Sequence, residues 1–176
     1  MAEAFSPADL EAVVPRLRRY ARALTGNREA ADDLTQDTLE RAWVKRALWQ
    51  PGTDLRAWTF TVMHNLFVNG TRRSRPSLSL DDIGADEAGA ALSASVETGV
   101  VLGELARALA LLPDEQREVL LLVGLEQFSY AEASEVLGVP MGTVMSRLSR
   151  GRERLRILLE TGSAGAERGA QLRRIK

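Results

Sequence analysis

Residues 129–154 read SYAEASEVLGVPMGTVMSRLSRGRER. Ser129 and Glu132 have the spacing of a capping box, in which each side chain takes up a free amide at a helix start. Gly138 and Pro140 then punctuate the chain, since Gly tolerates a left-handed stop and Pro suits the opening of a new helix. The pattern predicts a short helix, a tight Gly138-Val139-Pro140 turn and a longer helix from Pro140 to about Glu160, the helix-turn-helix layout. On the longer helix Val144, Leu148, Leu155 and Leu158 share one face. Thr143, Ser146, Arg147, Arg150 and Arg154 share the other, with no acid among them. A guanidinium fork matches the two major-groove acceptors of guanine, and hydroxyls near a helix start suit phosphate or base contacts. An amphipathic helix with a solvated basic face would carry a similar stripe. The capping box, the turn and the stripe together favour DNA.

The chain has 176 residues, 45% hydrophobic and 27% charged, enough for a packed core. It has no cysteine and one histidine, His64. That excludes disulfides, thiolate metal sites and His-rich metal clusters, and no cofactor is expected. Asp32 and Asp33 are adjacent, so they point to different helix faces, and no phosphate-cradling Gly loop accompanies them; an acid–base enzyme is disfavoured. No apolar run approaches the ~20 residues of a membrane span. The acidic start, MAEAFSPADLEA, does not resemble a secretory signal, so a cytoplasmic protein is expected. The net charge is −1, but it is unevenly spread. Residues 1–75 and 140–176 are net basic, and residues 76–139 are net acidic. Two basic zones could sit on a polyanion at two places.

The segment following Arg75 carries Pro76, Ser77, Ser79, Gly84, Gly89, Ser93 and Ser95 with Asp81, Asp82, Asp86 and Glu87, and reads as a linker. The expected architecture is all-α: a unit over 8–75, a flexible acidic linker over 76–99, a second unit over 100–160 and a flexible tail over 161–176. In the first unit Leu10, Val13, Val14, Leu17, Tyr20, Ala21 and Leu24 mark a helix that stops at Thr25-Gly26. A second helix is expected from Asn27 to about Leu48. It would bury Ala31, Leu34, Thr38, Leu39 and Ala42 and present Asp33, Gln36, Asp37, Glu40 and Arg41. After Pro51-Gly52, Asp54 caps a third helix expected to bury Leu55, Trp58, Val62 and Leu66. That helix has another stripe, Thr61, Asn65, Asn69 and Arg72, followed by Arg73. Amides and guanidinium groups on one face can grip phosphate and exposed base edges. Trp58 is assigned to the core, Trp49 is left open between core and base stacking, and His64 is expected to be a partly buried structural residue. In the second unit Pro113 and Asp114 open a helix with Val119, Leu120 and Val123 inward.

These residues resemble the extracytoplasmic-function (ECF) sigma factors of bacterial RNA polymerase. The run from Ala30 through Asp32-Asp33-Leu34 to Trp43, then Asp54-Leu55-Arg56-Ala57-Trp58, His64-Asn65-Leu66 and Arg72-Arg73, is similar to sigma region 2. Leu111-Leu112-Pro113, Gln116-Arg117, Ser129-Tyr130-Ala131-Glu132 and the Gly142–Arg152 run resemble region 4. The resemblance implies a subunit that directs core RNA polymerase to promoter DNA, held in check by an anti-sigma factor. It implies that Asp33, Gln36, Asp37, Glu40 and Arg41 dock on the polymerase. By the same likeness Thr61, Asn65, Asn69, Arg72 and Arg73 engage the minus-ten element, and Thr143, Ser146, Arg147, Arg150, Arg152 and Arg154 the minus-thirty-five element. The acidic linker would thread toward the RNA-exit path. The runs around His64 and Ser146 are similar to a general-stress subgroup. Met145, Ser149, Gly151 and Asn69 depart from common family residues, and Gly151 in particular should cost ~1 kcal/mol of helix propensity. The rival reading is a stand-alone helix-turn-helix regulator whose first unit dimerises. Such a dimer interface should be more apolar than the Asp33–Arg41 stripe.

Overall fold

The computed structural model describes the backbone of residues 5–73 and 96–173, and the side chains of residues 5–70 and 101–162. The described backbone forms seven α-helices and no strand: α1 (Pro7–Thr25), α2 (Arg28–Val44), α3 (Leu55–Arg73), α4 (Val96–Ala110), α5 (Asp114–Leu120), α6 (Tyr130–Leu137) and α7 (Met141–Arg173). A 3₁₀ turn, Arg46–Leu48, follows α2, and a π turn, Leu121–Leu125, follows α5. The expected linker falls largely on residues 74–95, which lie outside the described residues; its last positions, from Val96, belong to α4.

Local chemistry sets most of the ends. Ser6 and Asp9 form a capping box at α1, which Gly26 closes in the left-handed region at φ 68°. The Asn27 side chain accepts from the Ala30 amide and opens α2. That helix stops at Val44 rather than near Leu48. Arg46 there donates to the Trp43 carbonyl (2.9 Å) and lies 4.6 Å over the Trp43 ring, so a side chain takes a carbonyl that a continuing helix would use. At the other end of the chain, α7 continues past the expected stop near Glu160 to Arg173. Arg156 pairs with both Glu153 (2.8 Å) and Glu160 (2.6 Å), tying successive turns across that point.

The first unit packs α1 on α2 and α2 on α3, and the second packs α5 and α6 on α7. Thr35 and Thr38 are buried on α2, their hydroxyls returned to the carbonyls of Ala31 (2.7 Å) and Leu34 (2.6 Å). The expected core face of α3 is only half right. Leu55, Trp58, Val62 and Leu66 are partly buried, whereas Thr59, Phe60 and Met63 are fully covered. The reason is that α3 is packed on two sides, by its own unit and by α6.

One hydrophobic core therefore runs through both units. It joins Leu17, Tyr20, Leu24, Phe60 and Met63 to Val119, Leu122, Phe128, Val136, Val144 and Leu148. At its centre Tyr20, Phe60 and Phe128 stack edge-on in series, at 5.1 Å and 5.2 Å between centroids. The π turn positions this last ring. Its wide i→i+5 bond, Glu126 N–H to Leu121 O at 3.0 Å, turns Glu126 and Phe128 inward. Val123, expected inward, is only partly buried.

Candidate nucleic-acid interface

The α6–turn–α7 segment has the expected helix-turn-helix form. Ser129 and Glu132 cap each other at α6, with the Ser129 amide donating to Glu132 at 2.7 Å. Hydrogen bonds from the Ser129 side chain and backbone hold the Glu132 carboxyl below its ordinary value. Gly138 takes the left-handed region at φ 62°, and the Ser134 hydroxyl donates to the Val139 carbonyl (2.6 Å), fixing the turn. Val144 and Leu148 are buried as expected.

Thr143, Ser146, Arg147, Arg150 and Arg154 fall on one side of α7 by helical spacing. Ser146, Arg150 and Arg154 are exposed and Thr143 is half-buried. The Ser146 hydroxyl donates to Thr143 O (3.0 Å) and Arg150 Nε to Ser146 O (3.2 Å). Arg152 lies elsewhere, in a groove of about 530 Å³ with Tyr130, Met145 and Arg156. Arg147 is distinct: its Nη2 lies 2.8 Å from Glu115 Oε2 on α5.

Gly151 is buried where α7 crosses α5. A Cβ there would sit 3.0 Å from Leu120 Cδ1 and 3.3 Å from both Gln116 Cβ and Gln116 O. The residue that looks like a propensity defect in the sequence allows this close approach.

In the first unit, Asp33, Gln36, Asp37, Glu40 and Arg41 are all exposed along α2, with Gln36 donating to Glu40 at 3.1 Å. Trp43, Val44 and Leu48 extend that face with exposed apolar surface, which stripe-counting on charged residues missed. On α3, Asn65 and Asn69 are exposed, while Thr61 is half-buried and donates to Ala57 O (3.0 Å). Arg72 and Arg73 close α3, but their side chains lie outside the described residues. Trp49 is partly buried, its ring 5.6 Å from Phe5 in an aromatic cluster that also holds Trp58, which makes it a packing residue.

The face of α3 turned toward the second unit carries polar contacts that no local pattern announces. His64 Nδ1 lies 2.6 Å from Glu118 Oε1. Arg56 lies 4.0 Å over the Phe128 ring, donates to Glu126 O (3.2 Å) and stands 3.5 Å from Glu132. Arg19 of α1 donates twice to Glu126 Oε1, at 3.0 and 2.9 Å. Among the described residues no group of His, Cys, Asp and Glu is arranged to hold a metal, and no helix is long and apolar enough to cross a membrane.

Two helical units, one a helix-turn-helix with a basic outer face, have the layout of a DNA-binding protein. Two family models agree: the Sigma2 domain of PhyR matches residues 10–64 and Sigma-70, region 4 matches residues 102–155. The chain is 40% identical over 157 residues to the ECF RNA polymerase sigma factor EcfG of Rhodopseudomonas palustris, covering 89% of this chain and 86% of that one. It is 35% identical to SigE, an ECF sigma factor of Mycolicibacterium smegmatis, over 88% of this chain and 62% of that one. Among solved structures it resembles the sigma factor RpoE of Bartonella quintana, crystallised with the anti-sigma factor NepR. The TM-score is 0.70 at 34% identity, over 87% of this chain and 95% of that one. It also resembles CnrH in complex with the cytosolic domain of CnrY, with a TM-score of 0.65 at 26% identity, over 89% and 90%. The chain belongs to the ECF sigma factors of bacterial RNA polymerase. Its function is to direct core polymerase to promoters and initiate transcription, and the reading as a stand-alone regulator finds no support.

Proposed function

We propose that this chain is a stress-responsive sigma factor that an anti-sigma partner holds in the closed form described above, and that it works only after its two units part. The observation that carries this reading is the shared core. Elements named for positions ten and thirty-five lie about 25 base pairs apart, roughly 85 Å along B-form DNA. A compact chain of 176 residues has a radius of gyration of only about 16 Å. A closed molecule cannot span both elements. The likeness to RpoE bound to NepR runs across both units, which supports the closed form as the inhibited one.

In the open form each unit has its own task. Asp33, Gln36, Asp37, Glu40 and Arg41 dock on core polymerase, a polar surface suited to a reversible contact, with Trp43 and Leu48 beside it. Thr61, Asn65, Asn69, Arg72 and Arg73 engage the minus-ten element. Thr143, Ser146, Arg147, Arg150 and Arg154 meet the minus-thirty-five element; Arg152, expected to join them, lies on the opposite side of α7. The chain does no covalent chemistry itself and works in the cytoplasm, where polymerase and promoter are. Polymerase holds the two units apart, so each weak DNA contact makes the other effectively intramolecular and selectivity includes spacing.

The test is transcription in vitro with core polymerase and a promoter panel, beside duplex binding by the free chain. Strong promoter binding is expected only with polymerase present. Tight, promoter-specific binding by the free chain would overturn the reading.

A further inference from the structure

The resemblance assigns four arginines of α7 to DNA, but they are not held alike. Among the described residues Arg150 bonds only within its own helix, and Arg152 and Arg154 are exposed. Arg147 is held from another helix. Its side chain is 21% exposed, and Glu115, its partner, is 67% exposed. The contact is a product of the fold: the bare Gly151 lets Gln116 and Leu120 of α5 come against α7, and Glu115 is thereby brought beside Arg147, one turn before Gly151.

A carboxylate beside a DNA-facing surface is unfavourable for binding as such, because it repels phosphate. It becomes useful if it fixes a donor. A guanidinium has five N–H donors in a rigid fork. Glu115 forms an ion pair with one terminal nitrogen, and the fork makes no hydrogen bond among the described residues. A side chain immobilised before binding loses less freedom on contact and tolerates fewer geometries. Cations left loose follow phosphate and add affinity without selectivity.

We propose that Glu115 is a specificity-determining positioning residue, which fixes Arg147 so that it discriminates one base of the upstream promoter element while lowering affinity for DNA in general. The proposal rests on the reading of Arg147 as a base-contacting residue. It predicts opposite movements of two quantities: without Glu115, discrimination should fall and non-specific affinity should rise. A purely structural role for Glu115 would lower both.

The experiment uses holoenzyme assembled from core polymerase and the full chain. Promoter fragments are first selected by the wild-type holoenzyme from a library with a randomised upstream element, and each position is then substituted singly. Glu115→Ala is expected to flatten preference at one position by about tenfold, the same position that Arg147→Ala flattens. The double variant should be no flatter than Arg147→Ala alone. Glu115→Gln, which keeps an acceptor, should lie between wild type and Glu115→Ala. Binding of Glu115→Ala to unrelated duplex should strengthen. If Arg147→Ala flattens a position and Glu115→Ala does not, Arg147 reads unaided and the proposal is wrong. If Arg147→Ala changes no position, the base-contact reading fails and the proposal with it. A uniform loss across all promoters in Glu115→Ala, with a lower melting temperature, would show mere packing and also overturn it.

Discussion

Arg19 Nη2 lies 2.9 Å from Glu126 Oε1, an ion pair between the first helix and the turn after α5, 107 residues later in the chain. The glutamate side chain is 0% exposed and the arginine 52%. Arg19 Nε and Nη2 reach the same oxygen, and among the described residues Oε2 has no hydrogen-bond partner. Such a carboxylate is costly to bury alone and tolerable when paired.

Removal of the cation should therefore open the molecule. Arg19→Ala is expected to destabilise the closed form by about 1–3 kcal/mol, because Glu126 would regain water by separation of the units without unfolding of either. Fluorophores placed on exposed positions of α2 and α7 should report a longer mean distance, with helical circular dichroism unchanged. Glu126→Gln, neutral and of similar size, should not open the chain. An unaltered distance in Arg19→Ala would show that the pair contributes nothing to closure.

Alkali should act on the same seam. Burial pushes the Tyr20 hydroxyl well above its ordinary value near 10, with the nearby Glu118 and Glu126 charges adding to the effect and Arg117 opposing it. A raised folded value means that the stabilisation is complete below pH 10. It declines as pH rises above 10, where a water-exposed tyrosine loses its proton and the buried one does not. Ultraviolet titration should show one of the two tyrosines ionising only as the core opens. Tyr20→Phe should remove this part of the alkaline loss; the same alkaline midpoint in both proteins would refute it.

On α2 the exposed carboxylate of Asp37 gives a cleaner separation of tasks. Asp37→Lys should lower transcription about tenfold, equivalent to roughly 1.4 kcal/mol of docking. Binding of the same holoenzyme to upstream-element variants should keep its order of preference. Wild-type transcription by this variant would remove α2 from the polymerase interface.

Gly151 can be tested by size. Alanine gains about 1 kcal/mol of helix propensity but places a methyl 3.3 Å from the Gln116 carbonyl and 3.0 Å from Leu120. Gly151→Ala should therefore fall short of that gain, and Gly151→Val should cost about 1–3 kcal/mol by overpacking. Thermal unfolding measures both. The full propensity gain in Gly151→Ala would mean that the helices part at no cost.

The features legible in the sequence were those written by neighbours in the chain. Ser129 and Glu132, Gly138, Gly26 and Asn27 act within a few residues, so the helix-turn-helix and the first helical hairpin could be read directly. The exposed rows on α2 and on the outer face of α7 followed from spacing alone. The inner faces did not. Phe60 and Met63 belong to a side of α3 whose partner begins more than fifty residues later, and His64 meets Glu118 across 54 positions. Helical periodicity shows that a face is apolar but not what covers it. The π turn was also hidden, because Leu121–Leu125 suits an ordinary helix equally well, and its extra residue is favoured by burial of Glu126 and Phe128. Gly151 was misjudged for a similar reason, since propensity scales describe a helix with no neighbour.

Phe60 and Phe128 keep each other dry, so neither unit can be released without wetting an aromatic ring. If polymerase takes only the parted form proposed above, affinity measured on the whole chain is an intrinsic affinity multiplied by the fraction of molecules already unlatched. An unlatching cost of about 2.8 kcal/mol would weaken apparent binding about a hundredfold. On that reading recruitment depends in part on side chains that touch neither enzyme nor promoter, and variation at that hidden seam would retune a regulon's threshold while every recognition contact stays as it was.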